Sequence, residues 1–145
     1  MLSNVAEDVR REIRAVVVRA IASSELATKV GECSAIEVPV ELARDKSHGD
    51  FATTVAMVLA KRLGQPPRHI AEVIEASLRP LLRETRYVRQ AEVAGPGFIN
   101  FFLSRAWLED AIRAVHAAGS AYGTSHVGAG KRVQVEFVSA NPTGP

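Results

Sequence analysis

Gly95-Pro96-Gly97-Phe98-Ile99-Asn100-Phe101-Phe102-Leu103 is the stretch that decides the fold class of this chain. In an extended strand, alternation puts Phe98, Asn100 and Phe102 on one face and Ile99, Phe101 and Leu103 on the other. The second face is wholly apolar and is expected to be core. The first carries an amide, which is costly to bury without partners. Residues 87–94 read as a preceding strand. The Gly95-Pro96-Gly97 turn joins the two as a hairpin, although it is not one of the common two-residue primed turns.

Helices are expected on both sides of this hairpin. Upstream, Val5, Val9, Ile13, Val16/Val17 and Ala20/Ile21 recur every three or four residues, which predicts a helix to about Ser23. Asn4 with Glu7 makes a box-like start for it. The alternation in Ile36–Glu41 reads as a strand, and Pro39, lacking an N–H, favours the sheet edge. Asp50 is expected to cap a second helix with Phe51, Val55, Val58/Leu59 and Leu63 inward and Gly64 at its end. Pro66-Pro67 opens a third, carrying Ile70, Val73/Ile74, Leu78 and Leu81, and Pro80 bends or ends it. Downstream, Ser104 is expected to cap a last helix with Leu108, Ala111/Ile112 and Val115 buried, closed by Gly119. The expected fold class is α+β: about four helices on a mostly antiparallel sheet of about three or four strands.

The glycine-rich stretch 119–131 reads as a linker after a domain of residues 1–118. Arg132–Val138 alternates again and ends in Ser139-Ala140-Asn141-Pro142-Thr143-Gly144-Pro145, so 132–145 is expected to open a second domain. Small polar groups just past a strand's carboxyl end lie where open α/β sheets bind ligands. Ser139 and Asn141 can donate and accept hydrogen bonds, Gly144 allows close approach, and Glu136 could meet a cation. On composition alone, a plain surface turn stands beside that reading.

Composition excludes several function classes. The chain has 145 residues, 47% of them hydrophobic, which is ordinary for a globular domain and too rich for a disordered one. No apolar run approaches the roughly 20 residues of a membrane span, and the N-terminus lacks a signal-peptide layout. With one cysteine, Cys33, and four scattered histidines, neither an internal disulfide nor a Cys-rich zinc site is expected, and a reducing cytoplasm fits. The net charge of +2 neither demands nor excludes nucleic acid, so its distribution decides. Arginines gather at Arg79, Arg83, Arg86 and Arg89, with Lys61, Arg62 and Arg68 as a second group; phosphate contact and a solvated face both remain open. Ser47-His48-Gly49-Asp50 cannot form a triad from adjacent residues, and a helix cap with a glycine turn is expected there. The glycines before Lys131 fail as a phosphate loop, because Ser125 stands where glycine is needed and Arg132 where Ser or Thr is needed.

Three stretches carry a resemblance to a known family. Val135-Glu136-Phe137-Val138-Ser139-Ala140-Asn141-Pro142-Thr143-Gly144-Pro145 resembles the segment that opens the catalytic domain of bacterial arginyl-tRNA synthetases. His48-Gly49-Asp50-Phe51 and Gly95-Pro96-Gly97-Phe98-Ile99-Asn100-Phe101 are similar to stretches of that family's N-terminal domain, in the same order. The resemblance implies a class I ligase that joins L-arginine to tRNA(Arg) with ATP and magnesium in the cytoplasm. It implies that Glu136, Ser139 and Asn141 contact arginine, and that Ala140 to Pro145 lead into an ATP-binding HIGH motif in a Rossmann-like domain truncated before its histidines. The chain alone is therefore expected to be catalytically incompetent, cofactor-free and monomeric, with no metal site. The resemblance also implies that the N-terminal domain grips the tRNA elbow at the D-loop, with Phe98 stacking on an unpaired base and Asn100 reading its edge. Packing of Phe98 in the core, with Asn100 tying down the turn, is the competing reading. A free-standing RNA-binding module and a purely structural domain are the alternatives for the whole.

Overall fold

The computed structural model describes residues 4–32, 35–43, 45–126 and 128–135. Helix α1 (Val5–Ser23) starts at Asn4, whose carbonyl accepts from the Glu7 and Asp8 N–H groups. The Asn4 side chain makes no cap bond, so the expected box does not close; the Glu7 carboxylate turns instead to Arg10 and Arg14. A single-turn helix, α2 (Ala27–Val30), follows and escaped the sequence reading because it is too short to show a period.

The chain then runs extended past Val38 and Val40, both buried, and pairs only as β1 (Glu41–Leu42). That strand is at the sheet edge, where Pro39 suggested it would be. The next element corrects the expectation for residues 50–54. Asp50 does not cap a helix: residues Phe51–Thr53 form strand β2, and α3 (Val55–Leu63) begins only after Thr54. The cap position is Thr54, which makes no side-chain cap bond; instead the Thr53 hydroxyl, one residue earlier, accepts from Val55 N–H at 3.3 Å. Within α3, Val55, Ala56 and Leu59 are buried while Val58 is exposed.

Helix α4 (Pro67–Leu81) starts with proline at a position where the missing N–H costs nothing, and it buries Ile70, Ala71, Ile74 and Leu78. Pro80 sits in its last turn, which tightens to a 3₁₀ turn over Leu82–Glu84. Strands β3 (Val88–Ala94) and β4 (Phe98–Leu103) form the expected hairpin. All pairs in the four-stranded sheet are antiparallel and the order is β1-β2-β4-β3, so β4 lies between β2 and β3. Helices α3 and α4 pack on β3 and β4, and α1 packs on α4. Ile99 and Phe101 are wholly buried among them, as the alternation required.

Helix α5 (Ala106–Ala118) turns away most of the expected stripe, keeping only Ala111 of it inward. Leu108, Ile112 and Val115 are exposed, whereas Trp107, Ala111 and Ala114 pack against the core. Both sets have helical spacing; the bulk of the Trp107 indole decides which side goes inward. The Ser104 hydroxyl accepts from Ala106 N–H, so it does serve the start of this helix, one residue before the position that flanks it. Residues 131–135 form no strand among the described residues, and Val133 and Val135 are exposed. Residues 136–138 of the expected strand lie outside the described residues.

Candidate nucleic-acid interface

The outer face of the sheet is built by parity. Because Phe51, Thr53, Ile99 and Phe101 point into the core, Asp50, Ala52 and Thr54 of the β2 segment point outward with Phe98, Asn100 and Phe102 of β4. Register places Ala52 and Glu92 on either side of Asn100, and Ala94 beside Phe98. A groove of about 550 Å³ runs along this face, with Pro39, His48, Thr54, Pro96, Phe98 and Asn100 in its lining.

Phe98 is 37% exposed, an unusual state for a large ring flanked by core residues. Asn100 differs from the expectation that both groups project. It is only 8% exposed, because it lies on an interior strand with neighbours on both sides and forms the groove floor. Among the described residues its carboxamide has no hydrogen-bond partner. The one sealed polar side-chain atom left unpartnered among the described residues is Gln65 Oε1, so the Asn100 amide opens on the groove. The arrangement is a ring standing beside a recessed, unsatisfied donor–acceptor group.

Two glycines hold the site in place. Gly97 (φ 145°) lies against α4, where an added Cβ would come within 3.0 Å of Pro67. Gly49 (φ 115°) lies against β4, where a Cβ would meet the Phe101 carbonyl oxygen at 2.9 Å. Next to it, Asp50 N–H donates to Phe101 O at 2.8 Å and the Asp50 carboxylate accepts from Leu103 N–H at 2.8 Å. The His48-Gly49-Asp50-Phe51 segment thus fastens the loop before β2 to the strand that carries Phe98 and Asn100. Ser47 donates to Asp45, whose carboxyl is held below its ordinary value by the two bonds from Ser47. No hydrogen bond joins Ser47, His48 and Asp50 among the described residues, so they form no triad.

The arginine cluster divides. Arg86 makes a two-pronged bond to Asp110, 2.8 Å on each arm, and Tyr87 Oη and Arg113 donate to the same carboxylate. Arg86 therefore holds the Asp110 carboxyl well below the usual carboxylate range. Nearby, Glu12 accepts from the Arg86, Tyr87 and Val88 N–H groups and ties α1 to the start of β3. Sequence reasoning missed this network because its members are far apart in the chain. Arg79 pairs with Glu75, and Arg68 bonds Glu72 and the Gly95 carbonyl. Arg83 and Arg89 make no ion pair among the described residues. Glu136, Ser139 and Asn141, and the whole run Ala140, Asn141, Pro142, Thr143, Gly144 and Pro145, lie outside the described residues.

Comparison with known proteins agrees with this fold. A model of the arginyl tRNA synthetase N terminal domain matches residues 4–103, and the chain belongs to that family. Among particular relatives, it is 48% identical over 97% of its length to the arginine–tRNA ligase of Heliobacterium modesticaldum, and 46% identical over 99% to that of Geobacillus kaustophilus. It spans about a quarter of the length of these relatives, 24% in each case. The crystal structure of arginyl-tRNA synthetase from Plasmodium falciparum shares the fold, with a TM-score of 0.55 over 74% of this chain and 18% of that one, at 15% identity.

Proposed function

We propose that this chain supplies the tRNA-gripping part of an arginine–tRNA ligase, and that its outer sheet face holds an unpaired D-loop nucleotide of tRNA(Arg). One observation carries this reading: Phe98 stands open beside Asn100, whose amide has no partner among the described residues. A base stacked on the ring would lay its edge over that amide and satisfy it, as single-stranded RNA sites commonly do. The family membership and the relatives' names support the arginine–tRNA ligase part of this reading.

In the whole enzyme the carboxylate of arginine attacks the α-phosphate of ATP, giving arginyl-adenylate and pyrophosphate. The arginyl group then passes to the terminal adenosine of the tRNA. Glu136, Ser139 and Asn141 are the residues assigned to arginine, Ser139 and Asn141 at its amino-acid end. Magnesium comes with ATP; among the described residues no cluster of His, Cys, Asp or Glu could hold a metal. Positioning would carry much of the rate, and the domain contributes by anchoring the tRNA far from the chemistry.

The test is Phe98→Ala and Asn100→Ala with tRNA(Arg). Each is expected to weaken binding, Phe98→Ala by about 1–3 kcal/mol, the usual range for base stacking on an aromatic side chain. Unchanged affinity with an intact fold sinks the assignment. A second reading, packing on a catalytic body without touching tRNA, is favoured by the exposed Leu108, Ile112 and Val115 on α5. A titration that is flat at both low and moderate salt would support it.

A further inference from the structure

We infer that the outer face carries a second RNA subsite, formed by Phe102 and Arg89, for the nucleotide adjoining the one on Phe98 and Asn100. This rests on the nucleotide-binding reading above and extends it. The key feature is a bulge in β3. Val88 pairs with Leu103 and Gln90 with Phe102, which leaves Arg89 as an extra residue in the ladder. Val88 and Ala91 are both buried, so the insertion turns Arg89 and Gln90 outward together. Such bulges re-aim a side chain at a sheet edge, and β3 is an edge strand.

The re-aimed Arg89 guanidinium lies 5.8 Å from the centroid of the Phe102 ring, and its Nε–H donates to the Leu103 carbonyl at 3.1 Å. That one bond fixes the plane and leaves the remaining N–H groups without an acceptor among the described residues. Phe98, Asn100 and Phe102 follow at intervals of about 6.7 Å along the same face of one strand. A strand of RNA with its bases splayed would therefore meet ring, amide and ring in succession. At the edge of β3, where that strand meets the end of α4, lies a groove of about 540 Å³ lined by Arg79, Arg83 and Arg89 together with Glu75 and Glu92. Glu75 pairs with Arg79, Glu92 accepts from Gln90 but keeps its charge, and Arg83 and Arg89 are the cations of this lining with no ion pair among the described residues. Arg86, the most strongly bound arginine of the group, faces Asp110 and takes no part.

The experiment measures binding of transcribed tRNA(Arg) to the 145-residue chain across a salt series. Arg89→Ala is expected to weaken binding about three- to tenfold and to lower the slope of log affinity against log salt by about 0.7, the share of one single-strand phosphate. Arg89→Lys should restore the slope but not the affinity, because an ammonium lacks the guanidinium's planar fork, which can hold the Leu103 carbonyl and a phosphate at once. Arg83→Ala should lower the slope and, with it, the affinity at low salt, and thermal melts confirm folding throughout. Phe98→Ala should lose affinity at unchanged slope. If Phe98→Ala weakens binding and neither arginine variant changes affinity or slope, the second subsite is overturned and the first stands. If Phe98→Ala has no effect, the first subsite falls and this inference falls with it. Full retention of affinity by Arg89→Lys would overturn the role given to the guanidinium's planar fork.

Discussion

The two faces of β4 carry the same kinds of side chain to opposite ends. Inward, Ile99 and Phe101 are wholly buried under α3 and α4. Outward, Phe98 and Phe102 flank an amide that no group among the described residues satisfies. A ring on the inner face stabilises the fold by leaving water, whereas a ring on the outer face leaves apolar surface in water. On the function proposed above, the outer ring and amide meet a base instead of the core. Stability should therefore be concentrated on one side of a single strand and RNA binding on the other.

The sharpest way to break this contrast is to truncate one ring from each face. Phe101→Ala should cost about 3–5 kcal/mol in urea unfolding, the range for removing a buried aromatic. Phe98→Ala should cost less than about 1 kcal/mol, because its ring is partly exposed already. Equal losses would mean that the outer ring is structural. Next in size, Gly49→Ala tests whether the His48-Gly49-Asp50 loop must lie against β4. Its φ of 115° and a 2.9 Å approach to Phe101 O make alanine strained in both conformation and space. A loss of about 1–3 kcal/mol is expected from denaturant midpoints; a neutral result would show that the loop can leave the strand.

The smallest effect concerns Asp110, which belongs to the stabilising half of the arginine cluster. Its carboxyl is held low chiefly by the Arg86 hydrogen bond, with Tyr87 and Arg113 adding to it. A depressed folded value means that this stability is present above the unfolded value of about 3.9 and is lost as pH falls below it. Melting temperatures of the parent chain and Asp110→Asn should therefore differ most near neutral pH and converge on acidification through that window. A gap that stays constant as the pH falls about one unit below that value would rule out the ion pair as its source.

What the sequence revealed follows the length and strength of each period. The 88–103 hairpin was legible because a turn signal separates two runs long enough to alternate, and α1 and α4 because their apolar stripes persist for four turns or more. Strand β2 was not, since Phe51 is spaced from Val55 as a helix residue would be, and three residues cannot display a competing period of two. In α5 the aliphatic spacing of Leu108, Ala111/Ile112 and Val115 was read as the stripe, and of these only Ala111 packs inward, beside Trp107 and Ala114. Alternation placed Phe98 on the face opposite Ile99 and Phe101, but it left open whether that ring is packed or exposed. The recess of Asn100 was not, because it depends on β4 lying between β2 and β3, and that order is set by pairing across the intervening α3, α4 and β3. The bulge that turns Arg89 outward is equally a property of register.

Observing the Asn100 side chain while RNA binds is the most direct test of the outer-face site. In a heteronuclear NMR titration with tRNA(Arg), the Asn100 side-chain NH₂ and the Phe98 ring signals should shift and saturate together, while the methyl signals of Ile99 on the opposite face stay in place. Binding that leaves the Asn100 amide unmoved and perturbs α5 instead would contradict the account.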